Sequence, residues 1–265
     1  MANFDYVIVG AGSAGCVLAN RLSEDPNTTV CLLEAGGKDR NPWIHIPAGY
    51  VKTMVNPNVN WMFDTEPDEH TGNRAIPVPR GRVLGGSSSI NGLLYVRGQA
   101  LDYDVWAQLG NRGWSYQDVL PYFKKSEHRE GDADPEFRGT GGPLNVADVR
   151  ETDPLLDKLI DAADTIGYPR NPDYNGGSQE GFGYFQTTMQ DGRRMSTAKA
   201  FLHPVITRPN LTVLTHSQAA RIRFAGRRAV GVEYRCKGKD SFVGATREVI
   251  SCSGSIQSPQ LLELS

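Results

Sequence analysis

The chain has little net charge and no long apolar run. Its 265 residues contain 28 Lys and Arg against 30 Asp and Glu, which gives a net charge of −2 at pH 7. This balance gives no reason to expect nucleic acid or an anionic membrane surface as a partner. No stretch approaches the ~18 consecutive apolar residues of a transmembrane segment. The apolar amino terminus lacks a basic n-region, which argues against a signal peptide.

The chain also lacks the cysteine and histidine patterns of metal and disulfide proteins. Its four cysteines, Cys16, Cys31, Cys236 and Cys252, show no C-x-x-C spacing, and no H-E-x-x-H zinc pattern occurs. Ser87–Ser89 lack the G-x-S-x-G frame of a nucleophilic serine. We therefore predict reduced thiols, no metal site and a cytoplasmic protein, with peripheral association with a membrane left open.

What is present begins with a strand, a glycine turn, a helix and a second strand between Tyr6 and Glu34. Gly10 permits the tight turn, Gly12 lets the backbone approach a pyrophosphate, and Gly15 lets the helix pack closely on the strand. Glu34, about 20 residues further on, can accept hydrogen bonds from a ribose. The pattern predicts a dinucleotide site rather than a generic tight turn, and it suits NAD and FAD equally. The predicted buried face of the helix is Ala14, Val17, Leu18 and Leu22.

Further elements follow from local signals. Asp153 and Pro154 predict the start of a helix that Gly167 ends, and Ser115 with Asp118 predicts a capping box. The predicted apolar face of the first of these helices is Leu155, Leu156, Leu159, Ile160, Ala163 and Ile166. The predicted strands are Leu211–Thr215, Ala220–Phe224, Ala229–Tyr234 and Arg247–Cys252, with turns at Gly226 and Gly238.

A second glycine-rich stretch runs from Gly81 to Asn91 as Gly-Arg-Val-Leu-Gly-Gly-Ser-Ser-Ser-Ile-Asn. Such a segment is either a flexible loop or a backbone surface that lies against a flat or charged ligand. With Tyr95, Gly98 and Asp104 it resembles the first signature of the glucose–methanol–choline (GMC) oxidoreductases. Gly254–Ser265 resembles the opening of their second signature, and the resemblance covers the whole chain.

The resemblance implies FAD as the cofactor, held without a covalent bond. Some members of the family attach the flavin through a histidine just before the asparagine of the first signature, and here that position is Ile90. The implied cofactor residues are Gly10, Gly12, Ser13, Ala14 and Gly15 at the pyrophosphate, Glu34 and Ala35 at the ribose, Val83, Gly86 and Ser87 along the flavin, Asn91, Gly92 and Leu93 at the isoalloxazine, Ala219 at the adenine, and Trp61 and Leu94 as further contacts.

The implied fold is α/β with α+β elements: a Rossmann-like FAD-binding domain, an inserted β-meander between Leu211 and Tyr234, and the start of a substrate-binding domain. Residues 1–40 and 196–265 are predicted to form the nucleotide-binding core. Residues 41–150 are predicted to cover the flavin and form an extended interface, and residues 151–195 to begin the substrate domain. We expect the chain to be a truncated, amino-terminal part of such a protein.

The implied reaction is oxidation of an alcohol, choline-like or another primary alcohol, to the aldehyde by hydride transfer to flavin N5. Electrons then pass to oxygen, a quinone or another carrier. The resemblance implies that the family's catalytic histidine pair lies C-terminal to Ser265. The histidines present resemble surface or turn residues: His45, His70, His128, His203 and His216. The alternatives are an NAD-dependent dehydrogenase and a catalytically incomplete fragment that binds FAD.

Overall fold

The computed structural model describes residues 2–265, which form two compact units. The first unit comprises residues 2–92 and Ser196–Ser265, and the second comprises Leu93–Met195. The predicted flavin cover, residues 41–150, spans both units. Among the described residues, no helix combines the length and the apolar composition that crossing a membrane would require.

The elements are as follows. The strands are β1 (Asn3–Val9), β2 (Val30–Leu33), β3 (Phe63–Asp64), β4 (Pro77–Val78), β5 (Glu127–Arg129), β6 (Leu144–Val146), β7 (Met189–Gln190), β8 (Arg193–Arg194), β9 (Leu211–Leu214), β10 (Ser217–Ala225), β11 (Arg228–Cys236) and β12 (Lys239–Ser251). The α-helices are α1 (Ser13–Leu22), α2 (Pro42–His45), α3 (Tyr50–Thr53), α4 (Ala100–Gln108), α5 (Tyr116–Ser126), α6 (Pro154–Thr165) and α7 (Gly254–Glu263).

A six-stranded sheet in the order β10-β11-β12-β1-β2-β9 organises the first unit. Strands β12, β1, β2 and β9 are parallel, whereas β10, β11 and β12 form an antiparallel meander. Val7, Ile8 and Val9 are all buried, as the continuous apolar run of a central parallel strand requires. Val7 and Val9 join the main core, which continues into the meander through Ile222, Val232 and Val243. The predicted α/β class with an inserted meander is confirmed.

The predicted extent of the meander is wrong at both ends. Strand β9 pairs with β2 at the opposite edge of the sheet, so the meander begins at Ser217 instead of Leu211. Strand β12 begins at Lys239, eight positions before the predicted start at Arg247, because its first half pairs with β11 and its second half with β1. The turn between β11 and β12 has positive φ at Lys237 and Gly238, as a type I′ hairpin requires.

The predicted buried face of α1 is also wrong. Gly15, Cys16, Ala19 and Asn20 are the buried residues, whereas Ala14 is exposed and the other three predicted residues are only partly buried. The helix packs closely against β1 and a π-helical turn at Ala198–Leu202, where the Asn20 amide donates to the Phe201 carbonyl at 2.6 Å. Where a helix packs this closely against its neighbours, its small side chains are buried and its larger apolar ones stay partly exposed.

The helix starts in the second unit are confirmed. The Asp153 carboxylate accepts a hydrogen bond from the Leu155 amide, and Ser115 with Asp118 forms a reciprocal capping box. Of the predicted apolar face of α6, Ile160 and Ala163 are buried, whereas Leu155 and the remaining residues of that face are exposed.

A buried ionic cluster lies within the second unit. Glu127 is fully buried and accepts hydrogen bonds from Arg97 at 2.6 Å, from the guanidinium of Arg138, and from the Gly139 amide at 3.0 Å. Arg138 also pairs with Asp173. Since each buried charge has a partner of opposite sign and further hydrogen bonds, the desolvation cost of the carboxylate is offset.

Candidate functional site

The turn between β1 and α1 requires glycine at two of the three positions of the motif, Gly10 and Gly15. Gly10 has φ of +99°, a conformation that favours glycine. A Cβ at Gly15 would lie 1.9 Å from the Gly10 carbonyl oxygen, so any side chain there would push α1 away from β1. A Cβ at Gly12 would have no atom nearer than 4.0 Å. Packing therefore explains Gly10 and Gly15, and leaves the space beside Gly12 open.

Glu34 follows β2 and is held in place by this turn. One carboxylate oxygen accepts a hydrogen bond from the Ala11 amide at 2.9 Å, and the other accepts one from the Gly36 amide at 2.8 Å. Burial raises the pKa of Glu34 to about 7, against the opposite effects of the two amides and of Arg82. Each carboxylate oxygen keeps a free lone pair, so the group can accept further hydrogen bonds.

The second glycine-rich stretch lies directly against the first. The Gly85 amide donates to the Ala11 carbonyl at 2.7 Å, and a Cβ at Gly86 would lie 2.7 Å from the Gly12 Cα. Serines hold its turn: Ser89 donates to the Leu84 carbonyl at 2.7 Å. Two segments that are about 70 residues apart in sequence thus meet backbone to backbone, which a flexible loop would not do.

An open cavity of about 800 Å³ lies where these segments meet, within the size range of small-molecule sites. The predicted cofactor residues that line it are Gly10, Gly12, Ser13, Ala14, Glu34, Ala35, Trp61, Gly86, Ser87 and Ala219. The further lining residues are Val9, Leu33, Arg80, Gly81, Ser217, Gln218, Ala220, Arg235, Ser251, Cys252, Ser253, Gly254, Ser255, Gln257, Ser258, Gln260, Leu261 and Leu264. The cavity walls therefore come from β1, β2, β10, β11, β12, α7 and both glycine-rich segments.

The remaining predicted cofactor residues do not line this cavity. Gly15 packs against the Gly10 carbonyl, and Val83 is buried in a hydrophobic cluster. Asn91 and Gly92 are exposed at the end of the first unit. Leu93 and Leu94 belong to the second unit, where Leu93 is buried and Leu94 is exposed.

Trp61 provides an aromatic wall of the cavity. Its ring stacks on Phe63 with centroids 5.8 Å apart, and the Arg82 guanidinium lies 4.9 Å from the Trp61 centroid. The preceding residue, Asn60, is buried and donates to the Met54 carbonyl at 2.6 Å. The indole therefore packs between Phe63 and Arg82 at the cavity wall.

Sequence reasoning did not assign the residues that α7 and β11 bring to the cavity. Gly254 and Gln257 belong to the stretch that resembles the second GMC signature, so a signal for them was available. Arg235 carried no such signal, because a single arginine in an amphipathic strand resembles an ordinary surface residue. Its place at the cavity follows from pairing of its strand with β10.

The cavity shows no acid–base pair of its own. Within residues 2–265, which include all five histidines, no histidine lines it, and no cluster of three metal-ligating side chains occurs. His203 instead contacts Asp39 at 3.0 Å, and this hydrogen bond raises the pKa of His203. The arrangement is suited to binding and orienting an elongated, partly anionic ligand.

Comparison with known proteins finds relatives that match nearly the whole chain. The family model described as GMC oxidoreductase matches residues 4–265. An alcohol dehydrogenase [acceptor] of Pseudomonas putida is 46% identical over 99% of this chain and 48% of its own length. A mitochondrial choline dehydrogenase of Mus musculus is 48% identical over 99% of this chain and 45% of its own. The chain thus spans about half the length of the curated relatives it matches.

Solved structures show the same fold. An FAD-dependent oxidoreductase from Chaetomium thermophilum superposes with a TM-score of 0.91 at 32% identity. The superposition covers 99% of this chain and 47% of the other.

Proposed function

This chain belongs to the GMC oxidoreductase family, and on that premise we propose that its first unit binds FAD for the oxidation of an alcohol. The observation that carries the proposal is the convergence of two glycine-rich backbones, at Gly12 and Gly86, on one cavity beside Glu34. The FAD dependence of the Chaetomium thermophilum neighbour supports the choice of cofactor.

The residues present fit the parts of FAD. The open space beside Gly12 and the amino terminus of α1 suit a pyrophosphate, because backbone N–H groups and the helix dipole favour an anion there. The buried Glu34 carboxylate accepts hydrogen bonds from ribose hydroxyls. Ala219 offers backbone atoms to the adenine, and Trp61 a flat apolar wall.

We propose that FAD is held without a covalent bond. Ile90, the position at which some family members carry a histidine, is 2% exposed and packs with Ile44, Val59 and Val83. An aliphatic side chain in a hydrophobic cluster has no nucleophilic atom to attach to a flavin.

For the whole protein we propose oxidation of a primary alcohol, choline-like or otherwise, because its relatives include an alcohol dehydrogenase [acceptor] of Pseudomonas putida and a choline dehydrogenase of Mus musculus. When bound, FAD supplies the hydride acceptor at flavin N5. The residues of this chain bind and orient its adenosine half. We still predict that the base that removes the hydroxyl proton lies C-terminal to Ser265.

The proposal is tested by cofactor uptake. The protein is incubated with FAD or with NAD, freed of excess ligand by gel filtration, and examined by absorption spectroscopy. We expect a band at about 450 nm after FAD and no retained NAD. Acid denaturation should then release the yellow chromophore into the supernatant. A protein that stays colourless and shows no binding in an FAD titration contradicts the proposal, and colour that stays with the precipitate contradicts the non-covalent mode.

A further inference from the structure

Arg235 is one of two arginines among the cavity-lining residues, which also include Glu34. It pairs across the sheet with Gln218, and the neighbouring Ser217 donates its amide to the Glu34 carbonyl at 2.8 Å. In a dinucleotide site of this kind the pyrophosphate lies at the helix amino terminus and the ribose at the acid after the second strand. The base of the nucleotide must therefore extend from Glu34 toward β10 and β11.

The guanidinium of Arg235 is held by one partner. Its Nε donates to Asp240 Oδ1 at 2.8 Å, and Nη2 lies 3.5 Å from Oδ2, across the β11–β12 pair. The Arg235 side chain is 66% exposed. Because hydrogen bonds to a guanidinium lie in its plane, this pairing leaves its faces open to stack on an aromatic ring.

We propose that Arg235 stacks on the adenine of FAD, with Asp240 as its positioning residue, so that Arg235 strengthens the binding of adenine-bearing cofactors. This inference rests on the proposed function. A cation over an aromatic face gains an attraction that needs no hydrogen-bond pattern on the base. It also gives a reason for a positive group on β11, outside the glycine-rich turn that is expected to hold the pyrophosphate.

The test compares Arg235→Ala with a matched control, Arg223→Ala. Arg223 lies on β10, pairs with Glu233 at 2.8 Å, is 52% exposed and does not line the cavity. Each substitution removes one positive charge from the same sheet. Dissociation constants for FAD are measured by flavin fluorescence on the full chain, and circular dichroism checks that each variant folds.

We expect Arg235→Ala to weaken FAD binding about fivefold and Arg223→Ala to leave it unchanged. Asp240→Asn should cause a smaller loss in the same direction. The fivefold ratio between the FAD dissociation constants of Arg235→Ala and wild type should persist at about 0.5 M salt, where general charge effects are screened.

Two results overturn the inference. One is equal FAD affinity in wild type and Arg235→Ala, and the other is a ratio of their dissociation constants that falls to one in high salt. Failure of the wild-type protein to bind FAD would instead refute the proposed function, so the two failures are distinguishable.

Discussion

Exchanging single glycines of the first motif for alanine separates folding from cofactor binding. In Gly15→Ala the new methyl would lie 1.9 Å from the Gly10 carbonyl oxygen. An ordinary carbon–oxygen contact is about 3.3 Å. The obstructing atom belongs to the backbone, so α1 must move outward by more than about 1 Å. Such overpacking costs about 3 kcal/mol, and the better helix propensity of alanine returns up to about 1 kcal/mol. We expect a net loss of about 2 kcal/mol in the free energy of unfolding.

Gly12→Ala is the matched comparison. Gly12 has φ of −78°, which alanine adopts freely, and its methyl would meet no atom closer than 4.0 Å. We expect the free energy of unfolding of Gly12→Ala to lie within about 0.5 kcal/mol of the wild-type value. The methyl occupies the space proposed for the pyrophosphate, however, so FAD affinity should fall at least about tenfold, which corresponds to about 1.4 kcal/mol.

Thermal unfolding of the ligand-free protein and FAD titration of both variants measure these effects. A loss of about 2 kcal/mol corresponds to a midpoint lowered by about 4–8 °C in Gly15→Ala. The reasoning is refuted if the two variants unfold at the same temperature, or if Gly12→Ala binds FAD as tightly as wild type.

Three further predictions concern charges and a helix cap. Burial raises the pKa of Glu34 from 4.5 to about 7, so the folded protein holds a proton that the unfolded chain releases above pH 4.5. Relative to Glu34→Gln, wild type should lose about 3 kcal/mol of stability as pH rises from 4.5 to about 7, and a constant difference from pH 4 to 8 contradicts this. Glu127→Gln leaves the buried Arg97 and Arg138 without their shared carboxylate, so chemical denaturation should show a loss of about 3–5 kcal/mol. Asp153→Ala removes the cap of α6 and should cost about 1 kcal/mol, measured the same way; an unchanged midpoint would show that the cap is dispensable.

Signals that act over a few residues were predictable. The cap residues Ser115 and Asp153 start their helices as expected, because a cap needs only its own side chain and amides two or three positions away. The turn at Gly238 joins two strands as expected for the same reason. The boundaries of β12 were not predictable, because they depend on which strands lie beside it.

Burial at the level of single side chains was harder to predict. The larger apolar residues of α1 suggest one buried face, yet close approach to β1 buries the small residues Gly15, Cys16 and Ala19 instead. Glu127 lies in a stretch of charges typical of a surface, and nothing local shows that Arg97 and Arg138 surround it.

The amino-acid sequence alone established a dinucleotide-type turn at Gly10–Gly15, the acid at Glu34 and the resemblance to one oxidoreductase family, since each depends on residue identity and spacing along the chain. The folded molecule determined that Gly86, Ala219, Arg235 and the start of α7 share one cavity with that turn. Those neighbours are brought together by strand pairing and by backbone contacts across long sequence separations. Such contacts produce no periodic pattern in the sequence, so the residues that line the cavity can be identified only from the folded structure.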